Sequence, residues 1–192
     1  MTKPVFYTVL KRDVVRLKAR QRGNALISWM LAAALGAGAF TGLYVIYESN
    51  ENKTALAFSQ NVMIEMISNA RSTYGTDDLY GQVTTATAVS GGVVPQALRV
   101  IGTGTARNPF NGAITFTPAT ITTTNDSLSI GWGSHPSRIC QQLVTLLNKS
   151  ARQIQVGGSD VKPPDGTLNV ATLATQCDSS AKVDIIFTIG RG

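Results

Sequence analysis

Histidine is nearly missing from this sequence: His135 is the only one in 192 residues. A lone imidazole leaves no multi-histidine metal site, and it makes a Ser-His-Asp triad hard to assemble. His135 sits between Ser134 and Pro136, a context that reads as a helix-entry loop rather than a catalytic centre. The acidic pair Asp77-Asp78 reads as a solvated turn. Gly102, Gly104 and Gly112 fall in no phosphate-loop pattern. The expectation is a chain that is not an enzyme, with no metal and no cofactor. Carboxylates are also absent from one long stretch, with none between Asp13 and Glu48.

The surplus of positive charge excludes less than it first suggests. Net charge is +6, as in many nucleic-acid-binding proteins. Residues 1–23 contain Lys3, Lys11, Arg12, Arg16, Lys18, Arg20 and Arg22 against Asp13 alone, so they carry all of it. Residues 24–192 hold ten basic and ten acidic side chains. That balanced remainder has no basic field to attract phosphate, so no nucleic-acid partner is expected.

Gly23 separates the basic stretch from an apolar run, Ala25 to Tyr47, that has no charged residue. A helix crossing a bilayer needs about 20 apolar residues. Basic flanks stay in the cytoplasm, which places the leader inside and the C-terminal body outside. Trp29 near one end, with Tyr44 and Tyr47 near the other, suits the bilayer interfaces. Gly36, Gly38 and Gly42 allow close helix contact within the run.

Helical periodicity resumes after a polar belt at Glu48–Thr54. Leu56, Met63, Ile67, Ala70 and Tyr74 form one stripe; Ala55, Phe58, Val62 and Met66 form a second beside it. Asn61, Glu65, Ser68 and Ser72 occupy the polar side, so the pattern predicts an amphipathic helix lying on a core. Continuous with the apolar run, the helix from Asn24 to about Ala70 would be on the order of 70 Å long. Gly75 ends it. From there to about Ala106, a Gly-, Thr-, Ser- and Ala-rich stretch reads as a long connecting loop, with short local structure around Pro95–Val100.

Asn108-Pro109-Phe110-Asn111-Gly112 is a turn signal, followed by strand material at Ala113–Thr117 and Leu128–Trp132. Thr120–Thr124 fits a sheet extension, an exposed edge or a loop. Pro136 opens a second helix, with Ser134 or Ser137 as its cap. Ile139, Leu143, Leu146 and Leu147 are its expected buried face, with Cys140 and Val144 beside it. Ile154–Val156 is a short strand candidate, Gly157–Gly166 is turn-rich, and Val183–Ile189 reads as a central strand. Cys140 and Cys177 both lie in the exported part, where a pair reads as a disulfide. Two unpaired buried thiols are the alternative. A bridge would tie the C-terminal region to the start of the second helix.

With its basic leader, Gly23, apolar-to-amphipathic helix, NPF-containing turn at 108–112 and late cysteine pair, the sequence resembles the type IVb pilins. The resemblance is to the kind found in conjugative-plasmid thin pili and bundle-forming pili. It implies an α+β, pilin-like fold, in which a long N-terminal α-helix, half transmembrane and half amphipathic, packs on a C-terminal antiparallel β-sheet. Residues 1–23 would be a prepilin leader, 24–74 the long helix, and 24–47 its transmembrane or filament-core half. Residues 75–192 would be the globular head, with a disulfide-closed region at 140–177.

The resemblance further implies that a prepilin peptidase cuts after Gly23 and that the new terminus, Asn24, is N-methylated. The precursor would sit in the inner membrane, its N-terminus cytoplasmic and its C-terminus periplasmic. An inner-membrane assembly platform would then build identical subunits into an extracellular pilus serving adhesion or mating-pair contact. Its outer partners would be recipient or host cell surfaces. Two positions depart from the family. Ser28 stands where pilins carry an acidic residue that pairs with a neighbour's terminal amine, and Asn24 replaces an apolar first residue. Both raise the prospect of a minor or tip-located subunit.

Other readings compete. A type II secretion pseudopilin shares the anchor chemistry. Ala37-Gly38-Ala39 resembles an ordinary signal-peptide cleavage site, whose use would release a periplasmic protein, and an uncleaved signal-anchor would leave a membrane-bound one.

Overall fold

The computed structural model describes residues 51–75 and 79–190. The apolar run at 24–47, with Gly23, Asn24 and Ser28, lies outside the described residues. Helix α1 occupies 51–74, and Gly75 closes it by donating its N–H to the Arg71 carbonyl at 2.9 Å. The amphipathic reading of α1 holds along most of its length. Val62, Met63, Met66, Ile67 and Ala70 are buried, and Leu56 and Tyr74 pack against the same core. Phe58 departs from it: 39% of its surface is exposed, and Ser59 is buried instead.

The rest of the chain folds as β1 (Arg99–Val100), β2 (Thr105–Arg107), β3 (Ala113–Ala119), β4 (Ser127–Pro136), β5 (Gln153–Val156), β6 (Ser159–Lys162) and β7 (Lys182–Gly190). Three helices are interleaved with these strands: α2 (Thr85–Ser90), α3 (Ser137–Leu147) and α4 (Val170–Cys177). The strands form one antiparallel sheet in the order β1-β2-β3-β4-β7-β5-β6. The C-terminal strand is therefore interior, as its apolar run predicted. It pairs with β4 on one side and β5 on the other.

Alternation along the strands sorts the two faces. Ile114 and Phe116 on β3, Leu128, Ile130 and Trp132 on β4, and Val183, Ile185, Phe187 and Ile189 on β7 are all buried in one core with the α1 residues. The opposite face carries small and polar groups, among them Thr115 and Thr117. There Ser129 and Thr188, register partners on β4 and β7, share a hydroxyl hydrogen bond of 2.9 Å.

The connection after α1 is more structured than a long loop. A 3-10 turn at Leu79–Gln82 precedes α2, and a second at Gln96–Leu98 leads into β1. Threonine is a modest helix former, yet Thr84 and Thr87 cap α2 reciprocally: each side chain accepts the other's backbone N–H. Helix α2 buries Ala88 and Val89, and the Tyr74 hydroxyl donates to the Thr87 carbonyl. Helix α4, where no element was expected, is capped by the Asn169 side chain and buries Leu173 and Cys177.

Candidate functional site

The turn at 108–112 is built around Asn108, which is nearly fully buried. Its Oδ1 accepts the N–H groups of Phe110 and Gly112, and its Nδ2 donates to the Gly133 carbonyl at 2.6 Å. The chains approach so closely that a Cβ at Gly112 would overlap the Gly133 carbonyl. Opposite this turn, the β4–β7 register shifts between Trp132 and His135. Ser134 adopts φ 53° there, and its N–H donates to Asp184 Oδ1 at 2.7 Å. Three residues apart on a regular strand, Trp132 and His135 would face opposite ways. The bulge turns both into the core.

His135 therefore does not lie in a helix-entry loop. It is in β4, fully buried, its Nδ1 accepting from Trp132 Nε1 at 3.2 Å and its ring edge-to-face with Phe110. That bond assigns the proton of the neutral ring to Nε2. Burial pulls the imidazole pKa down to about 4; the backbone of Ile139 opposes this. The imidazole is thus buried in the core, hydrogen-bonded to one aromatic side chain and in edge-to-face contact with another. The expected hydroxyl cap of α3 is also absent. Pro136 occupies the cap position, Ser137 is the first helical residue, and its N–H bonds the Ala181 carbonyl across the sheet end.

The two cysteines are joined. Cys140 on α3 and Cys177 on α4 form a disulfide with Cα atoms 5.7 Å apart. Both are buried, so the bridge lies inside the lobe it closes. Within that lobe Lys162 donates to the carbonyls of Asn148 and Ala151, both at 2.7 Å, and so caps the C-terminal end of α3. Burial lowers its ammonium pKa, and Asp165 pulls the other way.

Arg152 is the organising cation of this region, and nothing in its local sequence marks it. Its Nε donates to Asp165 Oδ1 at 2.8 Å, its Nη2 reaches Thr122, and Asp126 lies 3.6 Å away. Burial pushes the Asp126 carboxyl up. Backbone N–H groups of Ile121, Thr123 and Thr122, with the Ser127 hydroxyl, outweigh this and hold it well below the usual carboxylate range. The threonine run is thus a loop wrapped on a buried carboxylate, not an added strand. The turn-rich stretch after Gly157 contains β6, whose polar edge residue Asp160 accepts from Gln153.

Two surface features remain. An open groove of about 450 Å³ between α1 and α3 is lined by Leu56, Gln141, Gln142, Thr145 and Leu146. Leu146, expected to be buried, is 51% exposed on its rim; α3 buries Ile139, Cys140, Leu143, Val144 and Leu147 instead. Ile101, in the β1–β2 turn, is 98% exposed.

Among the described residues, no group of three His, Cys, Asp or Glu could hold a metal ion, and no helix is long and apolar enough to cross a membrane. Asp77 and Asp78 lie outside the described residues, as do the leader, cleavage and methylation positions.

Comparison with known proteins gives this arrangement a family. No curated protein matches the sequence. The fold is similar to the crystal structure of a type IVb pilin from Salmonella typhi, with TM-score 0.51 and 19% identity, over 73% of this chain and 99% of that one. TcpA, a type IV pilin from the Vibrio cholerae El Tor biotype, aligns with TM-score 0.45 and 21% identity, over 72% and 98% of the two chains. The solution structure of PilS from Salmonella typhi aligns with TM-score 0.41 and 18% identity, over 71% and 94%. Residues 52–190 match the family described as PilS N terminal. With its amphipathic helix on an antiparallel sheet and its disulfide-closed lobe, the chain belongs to the PilS family of type IVb pilins.

Proposed function

We propose that this protein is the precursor of a filament subunit, inserted in the inner membrane through residues 24–47 and assembled into a type IVb pilus after leader removal. The observation that carries the reading is the PilS-family match over 52–190, preceded by a basic leader and an apolar run of membrane length. An apolar helix that is stable in lipid is equally well buried among identical helices. One segment can then anchor the precursor and later line the filament axis, and subunits related by a non-closing rotation make a fibre.

In this reading residues 1–23 are discarded, Gly23 is the cleavage residue, and Asn24 becomes the methylated terminus. Residues 75–192 form the head, displayed outside the cell for adhesion or mating-pair contact. Ser28 cannot neutralise a neighbour's terminal amine, as the usual carboxylate would in a low-dielectric core. This supports a minor or tip-located subunit as a second reading. N-terminal sequencing of the mature protein tests the processing step and should begin at Asn24. A start at Phe40, or an intact leader, would overturn the prepilin reading. Gly23→Ala should block leader removal and abolish pili, while Ser28→Glu separates the two subunit readings: improved assembly indicates a major subunit, a dominant block a specialised one.

A further inference from the structure

Asn111-Gly112 is the only Asn-Gly step in the sequence. Glycine leaves the following main-chain nitrogen unshielded, because no Cβ stands beside it. In an open chain that nitrogen can attack the asparagine side chain, so the step is chemically labile.

The fold holds the two reacting groups apart. Asn111 is exposed, whereas Gly112 is buried. The Gly112 N–H donates to Asn108 Oδ1 at 2.8 Å, and the Gly112 carbonyl accepts the Asn108 N–H at 2.9 Å. Asn108 is nearly fully buried and anchored in turn on the Gly133 carbonyl. On the outer side, Arg107 Nη1 donates to the Asn111 main-chain carbonyl at 3.1 Å and to its Oδ1 at 3.2 Å. Asn111 itself sits at φ 64°, which asparagine tolerates better than most residues. The nitrogen that would attack is therefore held inward, with its proton engaged in a buried hydrogen bond. The amide it would attack is restrained outward by a guanidinium.

We propose that Asn111 is a spontaneous deamidation site that the folded turn keeps shut, so that modification there records opening of the turn. When the turn opens, the Gly112 nitrogen loses its proton to water and forms a bond to Asn111 Cγ. The Cγ–Nδ2 bond breaks, and the side-chain nitrogen leaves as ammonia, taking up a proton. The product is a five-membered cyclic imide, and no group is oxidised or reduced. One water then opens the ring. Cleavage between Cγ and the Gly112 nitrogen gives aspartate; cleavage at the main-chain carbonyl gives isoaspartate, whose backbone is longer by one carbon. Aspartate fits the native turn, since its carboxylate would face Arg107. Isoaspartate does not, because Gly112 lies so close to the Gly133 carbonyl that even a Cβ has no room. Chains that take the isoaspartate branch are thereby excluded from the native turn.

The test is peptide mapping by mass spectrometry of the full chain, held in detergent micelles at neutral pH either native or unfolded in guanidinium chloride. Unfolded chain should deamidate first at Asn111, and native chain on the order of tenfold more slowly or less still. Equal rates in the two states, or faster modification of another asparagine in the unfolded chain, would overturn the proposal. Amide hydrogen exchange at Gly112 in the native protein should be slowed by a similar factor, because the same opening frees the N–H. Free exchange at Gly112 would show that the turn is not the gate. Asn108→Ala should bring the native rate close to the unfolded one. If a melt shows that this variant does not fold, the wild-type comparison of exchange with deamidation decides alone. Isoaspartate-bearing chains, separated and refolded, should melt below unmodified protein; wild-type melting would refute their exclusion from the turn.

Discussion

Asp126 and His135 are both buried, and their surroundings settle opposite charge states. Asp126 stays ionised because three backbone N–H groups and a hydroxyl converge on it. His135 stays neutral because burial disfavours the imidazolium and because Nδ1 already accepts the Trp132 N–H. A histidine whose folded pKa is about 4, below its unfolded value of about 6.5, favours the native state fully above pH ~6.5. That contribution is lost as pH falls toward 4, because the unfolded chain binds the proton more tightly. Asp126 also has a depressed folded pKa, so its contribution persists above about pH 4 and disappears in stronger acid. Urea unfolding at pH 7.5 and pH 4.5 should therefore show an acid loss, of which His135→Gln removes about 2–3 kcal/mol. Equal acid losses in the two proteins would mean that His135 is not the source.

At the level of elements, regular patterns were legible in the sequence and irregular ones were not. The stripe on α1, the alternating or apolar runs of β3, β4 and β7, and the turn at 108–112 are carried by near neighbours in the chain, so their periodicity or turn chemistry reports them. Helix α2 was hidden because threonine-rich segments read as loops, and its reciprocal threonine cap appears only once the backbone is formed. Leu146 fits the apolar spacing of α3, but which spaced residues meet a partner depends on where α1 and the sheet end. The bulge that buries His135 depends likewise on two strands far apart in sequence. It is accompanied by the close approach of Gly112 to Gly133. Gly112→Ala should push these backbones apart and destabilise the head by about 2–4 kcal/mol, more than ordinary core overpacking because the obstacle is backbone. A thermal melt within a degree or two of wild type would show that the turn can shift freely.

For the whole molecule, the disulfide has the widest reach. It spans 37 residues and joins α3 to α4, so the lobe holding β5 and β6 is closed on itself beside the interior strand β7. Loop-closure entropy gives such a bridge a stabilisation of about 4 kcal/mol. Cys140→Ser, with Cys177→Ser to avoid a stray thiol, should lower the melting temperature markedly and reduce the protein's abundance in an oxidising compartment. Unchanged abundance and melting would mean that the sheet and Arg152 hold the lobe without the bridge. Arg152 is the rival tie, since it links the loop after β3 to Asp165 through contacts that no local pattern announces.

By itself, the sequence determined that α1, α3 and the strands β3, β4, β5 and β7 form, where α1 ends, and that two cysteines were available to pair. These follow from periodicity, turn residues and composition, which act over a few positions. Only the tertiary structure decided that the last strand lies between β4 and β5, that His135 faces the core, and that Leu146 and Ile101 face water. Each of these depends on which distant segment arrives alongside, and a chain's local pattern does not encode the identity of its neighbours across a sheet.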